Sequence, residues 1–138
     1  MNSALESYKG KIHPESSLMV LVVDDDRESS EALAQFLSLK GHGVQCATNG
    51  GEALQLLTET HDPPALIFLD LMMPVLDGWG FLELRAKNPV LAEVPVVVIS
   101  GCRDVSQRAK EAGAVAFLRK PVEPQILLRV VEHFDQSL

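Results

Sequence analysis

Three short apolar runs, each ending abruptly at polar residues, constrain what this chain can fold into. They lie at 18–23, 65–69 and 94–99. Continuous apolar runs of this length are typical of strands that are buried on both faces. Such strands need helices above and below the sheet, so the runs indicate parallel strands between two layers of helix.

Helical patterns separate these runs, and the order of the elements predicts an α/β fold. Weaker strands are predicted at 44–47 and 115–118. Helices are predicted at 31–40, around 53–57, around 81–84, at 103–112 and at 124–134. Thr48 or Asn49 is expected to cap the second helix, and Gly41 to end the first. The five strand–helix pairs predict a parallel sheet with helices on both faces.

The length of the chain limits the number of its domains, and its net charge limits the partners that it can bind. A chain of 138 residues corresponds to one domain. Residues 1–17 are polar and are predicted to form an N-terminal tail outside the fold, so the domain is expected at 18–138. The net charge of −7 argues against direct binding of nucleic acid, which needs a basic surface. This charge is compatible with the binding of metal cations or basic protein surfaces.

The sequence indicates neither a membrane protein nor a secreted one. No apolar run approaches the roughly 18 residues of a membrane-spanning helix, and the first 17 residues lack the apolar centre of a signal peptide. The two cysteines, Cys46 and Cys102, have no zinc-binding spacing and are expected to be reduced thiols. We therefore expect no membrane insertion and a cytoplasmic location.

Chemically distinctive side chains follow four of the five strands. Asp24 and Asp25 follow the first strand, Asp70 the third, Ser100 the fourth and Lys120 the fifth. The carboxyl ends of parallel strands meet at one edge of a sheet, where ligands of such folds bind. Three carboxylates at one place repel one another, so they are stable there only if a cation joins them or their pKa values rise. A hard divalent ion fits such a cluster, and Mg²⁺ is the ion expected inside cells.

A lysine and a hydroxyl beside a metal-bound carboxylate indicate phosphate chemistry. Lys120 and Ser100 suit the outer oxygens of a phosphoryl group. The carboxylate would then be the nucleophile that accepts this group. Each feature alone has an ordinary structural explanation, and Asp26 in particular is expected to cap the next helix. The combination of all of them at the ends of the strands is specific.

The stretches that carry these residues resemble the receiver domains of two-component response regulators. They are VLVVDDD at 20–26, LIFLDLMMPVLDGWGFL at 66–82, VPVVVIS at 94–100 and FLRKP at 117–121. The resemblance covers about residues 18–136. It implies a flavodoxin-like, doubly wound three-layer fold with five helices and a parallel sheet in the order 2-1-3-4-5.

The resemblance also implies roles for the acidic residues. Asp70 matches the phosphorylated aspartate. Asp25 matches a direct ligand of Mg²⁺, and Asp24 a ligand that acts partly through water. Asp70 itself and the backbone carbonyl of Met72 complete the implied metal site, which is expected to accept Mn²⁺ as a substitute for Mg²⁺.

Four further residues match positions that serve the phosphoryl group and the signal. Ser100 matches the switch hydroxyl and Lys120 the lysine that contacts phosphate. Phe117, three residues before Lys120, matches the aromatic switch position. Pro121 matches a proline that follows a cis peptide bond in this family.

The implied function is that of a phosphorylation-dependent signalling switch. A histidine kinase or a histidine phosphotransfer protein would supply the phosphoryl group, and the domain would catalyse only its own phosphorylation and dephosphorylation. The sequence ends soon after the fifth helix, so we expect the output to be contact with a downstream protein target. A receiver excised from a hybrid kinase or from a longer regulator remains an alternative, as does a degenerate receiver that acts only as a docking module.

Two further classes of protein fit the residues less well. A phosphatase of the haloacid-dehalogenase type would share Asp24 and Asp26, but it would have Thr or Val where this chain has Glu28. A flavodoxin-like cofactor binder would have a loop rich in Ser, Thr and Gly after the first strand, and this loop is acidic. The short interval from Ser100 to Lys120 also predicts that the fourth helix or the loop before it is shortened, which argues against a dimer formed through the fourth and fifth helices.

Overall fold

A computed structural model of the chain describes residues 19–135, and the tail predicted at 1–17 lies outside this range. The described residues form five strands and five helices. The strands are β1 (Met19–Val23), β2 (Gly43–Ala47), β3 (Leu66–Asp70), β4 (Val96–Ser100) and β5 (Ala116–Arg119). The helices are α1 (Arg27–Leu39), α2 (Gly50–Glu59), α3 (Gly78–Ala86), α4 (Ser106–Glu111) and α5 (Pro124–Phe134).

All neighbouring strands are parallel, in the order β2-β1-β3-β4-β5. This is the order that the resemblance to receiver domains implies. The central strand β3 is buried along its whole length, which explains its unbroken apolar sequence. Helices cover both faces of the sheet, so the predicted α/β architecture is confirmed.

Two apolar cores lie on the two faces of the sheet. On one face, α2, α3 and α4 bury residues such as Leu57, Phe81 and Ala109 against the strands. On the other face, α1 and α5 bury Leu37 and Leu127. Alternate residues of each strand enter opposite cores, because successive side chains of a strand point to opposite faces. The strand ends between these cores are therefore held rigidly.

Side-chain caps begin the first three helices. The carboxylate of Asp26 accepts a hydrogen bond from the Ser29 amide, at 3.2 Å, and begins α1. The side chain of Asn49 accepts from the Glu52 amide at 2.8 Å, which identifies it rather than Thr48 as the cap of α2. Such caps satisfy amide groups that the helix itself leaves unpaired.

Several element boundaries differ from the predicted ones. Helix α1 begins at Arg27 instead of residue 31, since the cap at Asp26 starts the helix before its apolar pattern does. Helix α4 spans only 106–111, shorter than the predicted 103–112. A short 3₁₀ helix at Leu91–Glu93, which the sequence did not predict, precedes β4. Within residues 19–135, no helix has both the length and the apolar character needed to span a bilayer.

Candidate functional site

The carboxyl edge of the sheet brings the predicted site residues to one place. Asp70 and Ser100 are the last residues of β3 and β4, and Asp24 and Lys120 each directly follow a strand. In the register of the sheet, Asp70 lies beside Ile99, one residue before Ser100. The strand order places β3 between β1 and β4, so Asp70 occupies the centre of the site.

The three predicted carboxylates form one cluster. One carboxylate oxygen from each of Asp24, Asp25 and Asp70 lies within 4.8 Å of the others. Asp70 is buried, Asp24 is half-buried and Asp25 is exposed, so the cluster opens toward solvent through Asp25. A set of carboxylate oxygens this close suits a hard divalent cation such as Mg²⁺. The donor chemistry of these residues therefore fits the implied metal.

Lys120 partly neutralises the cluster from the side of β5. Its Nζ lies 3.3 Å from Oδ2 of Asp70, to which it donates a hydrogen bond, and 3.6 Å from Oδ2 of Asp24. Burial alone would lower the pKa of Lys120, but the charges of Asp24 and Asp70 outweigh this effect and raise it. Lys120 is therefore held as a cation between two carboxylates.

The ionised form of Asp24 is disfavoured by its surroundings in this cluster. Burial raises its pKa, and the negative charges of Asp70 and Asp25 act in the same direction. A hydrogen bond from the Asp26 amide, at 2.9 Å, and the charge of Lys120 only partly oppose this rise. The site therefore concentrates more negative charge than its own groups neutralise, which favours binding of a cation.

The loop after β3 folds back against Asp70. The Met72 amide donates to Oδ1 of Asp70 at 3.2 Å, while 63% of the Met72 side chain is exposed. A Cβ atom on Gly78 would lie 2.7 Å from the Leu71 Cα and 2.8 Å from the Asp70 carbonyl oxygen. Only glycine allows α3 to begin so close to Asp70, which explains the Asp-Gly pair at 77–78.

Ser100 and Phe117 occupy the region between the site and the β5 edge. Ser100 is fully buried, and its Oγ accepts a hydrogen bond from the Cys102 amide at 3.1 Å. Phe117 lies beside Val98 in the sheet and is half-buried against the core that α3 and α4 cover. The Ser100 hydroxyl therefore engages its own loop, and the Phe117 ring lies under α4.

Two other predicted residues lie at the rim of the site. The peptide bond between Lys120 and Pro121 is cis. The Asp26 carboxylate turns away to cap α1, and its hydrogen bonds with the Ser29 hydroxyl and amide lower its pKa. A cavity of about 620 Å³ extends from the site between α1 and α5, past Asp24, Asp70 and Lys120.

Sequence reasoning missed the contacts that backbone groups make at the site. The amides of Asp26, Met72 and Cys102 orient the side chains of Asp24, Asp70 and Ser100, respectively. Every residue type except proline supplies such an amide, so no side-chain pattern could have revealed it. Sequence reasoning also missed the contact between the Arg108 guanidinium and the Trp79 ring.

Comparison with known families identifies the family and its fold. The model of the response regulator receiver domain family matches residues 20–132. The chain therefore belongs to the response regulator receiver domains of two-component signalling. This is a regulatory family, and the acidic cluster at Asp24, Asp25 and Asp70 fits the magnesium site expected of it.

Curated relatives are longer than this chain. Response regulator MprA of Mycolicibacterium vanbaalenii is 40% identical over 112 residues, which are 79% of this chain and 46% of MprA. The probable transcriptional regulator ycf27 of Porphyridium aerugineum is 39% identical over 111 residues, which are 78% of this chain and 44% of that protein. The chain thus spans less than half the length of these two relatives.

Solved structures with the same fold match almost the whole domain. The receiver domain of the Francisella response regulator 1452 is 26% identical, with a TM-score of 0.78 over 87% of this chain and 98% of that one. The receiver domain of a signal transduction histidine kinase from Syntrophus aciditrophicus is 30% identical, with a TM-score of 0.78 over 88% and 92% of the two chains.

Proposed function

We propose that this domain is a phosphorylation-dependent switch in which Asp70 accepts a phosphoryl group. The observation that carries the proposal is the position of Asp70, buried at the end of β3 with Lys120 Nζ 3.3 Å from its carboxylate. A nucleophile in this position is shielded from bulk solvent yet reachable from the open edge of the site. Asp24 and Asp25 supply the negative charge that a metal would offset.

The donor is a phosphohistidine of a histidine kinase or of a histidine phosphotransfer protein. A carboxylate oxygen of Asp70 attacks phosphorus, the P–N bond breaks, and the imidazole leaves with the electron pair and takes up a proton. Lys120 moves its contact from the Asp70 carboxylate to the phosphoryl oxygens, since an ammonium pairs with either anion. Water later attacks phosphorus, releases phosphate and restores Asp70.

The same residues would hold the metal. Asp24, Asp25, Asp70 and the backbone carbonyl of Met72 are the proposed ligands of Mg²⁺, and Mn²⁺ would replace it because both ions prefer oxygen ligands. When bound, the ion offsets the charge that develops on the transferring phosphoryl group. Weak binding is expected without phosphate, because Mg²⁺ keeps several waters when proteins offer few ligands.

Ser100 and Phe117 would convert the new charge into a change of shape. A phosphoryl group on Asp70 adds acceptor oxygens beside β4, and the Ser100 hydroxyl is a donor that can turn toward them. Ser100 would then release the Cys102 amide that it holds at 3.1 Å. The Phe117 ring would fill the space that Ser100 leaves, and the surface formed by α4, β5 and α5 would change.

The charge of that surface suggests what kind of protein it contacts. Residues 103–129 contain six Lys or Arg and three Asp or Glu side chains, in a chain whose net charge is −7. Arg103, Lys110, Arg119 and Arg129 are exposed there. We propose that the downstream target presents an acidic segment to this surface, because charge complementarity raises association rates and sets orientation.

The chain length of the relatives favours a second proposal about context. Because this chain spans less than half of MprA, we propose that the domain acts on attached domains as well as on a separate target when it is part of a longer regulator or a hybrid kinase. The chemistry at Asp70 is the same in either context.

Phosphorylation by a small donor tests the proposal. The protein is incubated with phosphoramidate and Mg²⁺, and its intact mass is measured. We expect one added phosphoryl group in wild type and in Asp62→Asn, an exposed control, and none in Asp70→Asn or after chelation of the metal. Equal labelling of Asp70→Asn would refute the assignment, and an unlabelled wild type would favour a degenerate receiver that acts only as a docking module.

A further inference from the structure

A stacked pair of side chains joins the second residue of α3 to α4. The guanidinium carbon of Arg108 lies 3.9 Å from the centroid of the Trp79 ring, which is close for a cation–π contact. Within residues 19–135, Arg108 has no carboxylate partner, so the indole is what its charge contacts. Trp79 is half-buried against the core under α3 and α4.

Helix α4 is short, and its own residues bury little side-chain surface. Of its six residues in the described chain, Ala109 alone is buried. The residue at its N-cap, Val105, has no side-chain oxygen to accept a hydrogen bond from the first turn. Its outward side chains Gln107 and Glu111 bond to each other, at 3.2 Å, rather than to another element. The Arg108–Trp79 contact therefore acts together with the packing of Ala109, Val105 and Ala112 against the core to hold α4 in place.

Trp79 and Arg108 both lie close in sequence to residues of the candidate site. Trp79 follows Gly78, whose Cα packs so tightly that a Cβ would lie 2.8 Å from the Asp70 carbonyl oxygen. Arg108 follows the loop whose Cys102 amide is held by the Ser100 hydroxyl. A change at Asp70 or at Ser100 therefore reaches one partner of the stacked pair through a few packed residues.

We propose that Arg108 and Trp79 are positioning residues that hold α4 in the conformation in which Ser100 bonds the Cys102 amide. This inference rests on the proposed function and adds to it a second connection between Asp70 and α4. When Ser100 turns toward a phosphoryl group, the loop before α4 is released and the stacked pair separates. The strength of the pair thus sets how easily phosphorylation shifts α4.

The single tryptophan of the chain makes this testable by fluorescence. Trp79 emission and its quenching by acrylamide are measured with Mg²⁺, before and after titration with beryllofluoride, a mimic of the phosphoryl group. In wild type, we expect the mimic to change the emission and to increase quenching. Arg108→Met keeps the length of the side chain and removes the charge, so its emission without the mimic should already resemble that of wild type with the mimic.

The affinity for beryllofluoride provides the second measurement. Arg108→Met should bind the mimic roughly two- to thirty-fold more tightly than wild type, which is the factor that an ordinary cation–π contact represents. Arg108→Lys keeps a cation and should lie near wild type. Lys87→Met removes an exposed charge at the C-terminal end of α3, the helix that carries Trp79, and should equal wild type. A single cooperative unfolding transition and an unchanged far-UV circular dichroism spectrum for each variant would exclude a general loss of structure.

The outcomes separate this inference from the proposed function. If calorimetry shows that wild type does not bind beryllofluoride, the proposed function fails and this inference fails with it. If wild type binds the mimic but Trp79 emission does not respond, the stacked pair is not part of the change. If Arg108→Met and Lys87→Met bind the mimic with the same affinity, the positioning role is likewise refuted.

Discussion

At the scale of single residues, the site carries more negative charge than the described residues of the protein neutralise. Asp24, Asp25 and Asp70 face one cation, Lys120, whose ammonium lies within 3.6 Å of Asp24 and 3.3 Å of Asp70. The sequence could predict these partners because the ends of parallel strands meet. It could not predict that Asp24 would be half-buried, because burial depends on how the loop after β1 packs.

The stability of the metal-free protein should depend on pH because Asp24 is half-buried. Because burial raises the pKa of Asp24, the folded state binds a proton there more readily than the unfolded chain does. The contribution of Asp24 to stability is therefore present at low pH and is lost as pH rises through its folded-state pKa. In chelator, wild type should gain stability relative to Asp24→Asn between neutral pH and about pH 4. Urea unfolding at several pH values measures this, and a constant difference would contradict it.

A buried arginine outside the site shows what sequence patterns miss. Arg85 is 4% exposed, and its guanidinium donates to the carbonyl of Val94 at 2.7 Å and to that of Ala92 at 2.9 Å. Burial lowers the pKa of Arg85. In the sequence it is one charged residue on an amphipathic helix, for which exposure to solvent is the usual expectation.

Arg85→Met should lower the free energy of unfolding by about 2–4 kcal/mol, because two carbonyls would be left without a donor. Lys87→Met, an exposed neighbour, should change it by less than about 0.5 kcal/mol. Denaturant unfolding of both variants gives the comparison. Equal stabilities would show that the guanidinium does not support the turn before β4.

At the scale of secondary structure, the sequence predicted the strands better than the helix ends. The buried strands β1 and β3 have unbroken apolar sequences and were placed to within one residue. Helix ends depend on caps, and Asp26 begins α1 four residues before its apolar pattern suggests. The 3₁₀ helix at Leu91–Glu93 is held both by the Asn88 side chain, which accepts from the Leu91 amide, and by Arg85, which donates to the Ala92 carbonyl from another helix.

Helix α4 should be the least protected helix of the domain. It has six residues and buries Ala109, whereas α5 has eleven and buries Leu127 and Val131. Short helices with little buried apolar surface open more easily than the rest of a domain. Amides of α4 should therefore exchange at least about tenfold faster than those of the centre of α5 in native-state hydrogen exchange. Equal protection would mean that α4 opens only with the whole domain.

At the scale of the whole molecule, the sheet order determines which residues form the site. The alternation of strands and helices predicted a parallel sheet, but the order 2-1-3-4-5 followed only from resemblance to receiver domains, because several orders satisfy the alternation. With β3 at the centre, Asp70 lies between the strand that leads to Asp24 and the strand that ends at Ser100.

Metal binding should stabilise the whole fold. A ligand that binds the folded state at a hundred times its dissociation constant stabilises it by about 2.7 kcal/mol. Mg²⁺ in such excess should therefore raise the unfolding temperature by several degrees, since about 1 kcal/mol corresponds to a few degrees in a domain of this size. Asp25→Ala should lose most of the rise. An equal rise in Asp25→Ala by scanning calorimetry would remove Asp25 from the proposed ligands.

The most direct test of the account is to locate the phosphoryl group in the chain. The protein is phosphorylated by a histidine kinase or by phosphoramidate in Mg²⁺ and is then treated with borohydride, which reduces an aspartyl phosphate to homoserine. Peptide mass spectrometry then finds the converted residue. The account predicts homoserine at position 70 and at no other aspartate. Conversion at Asp24 or Asp25 with Asp70 unchanged, or phosphate on a histidine or serine, would contradict it.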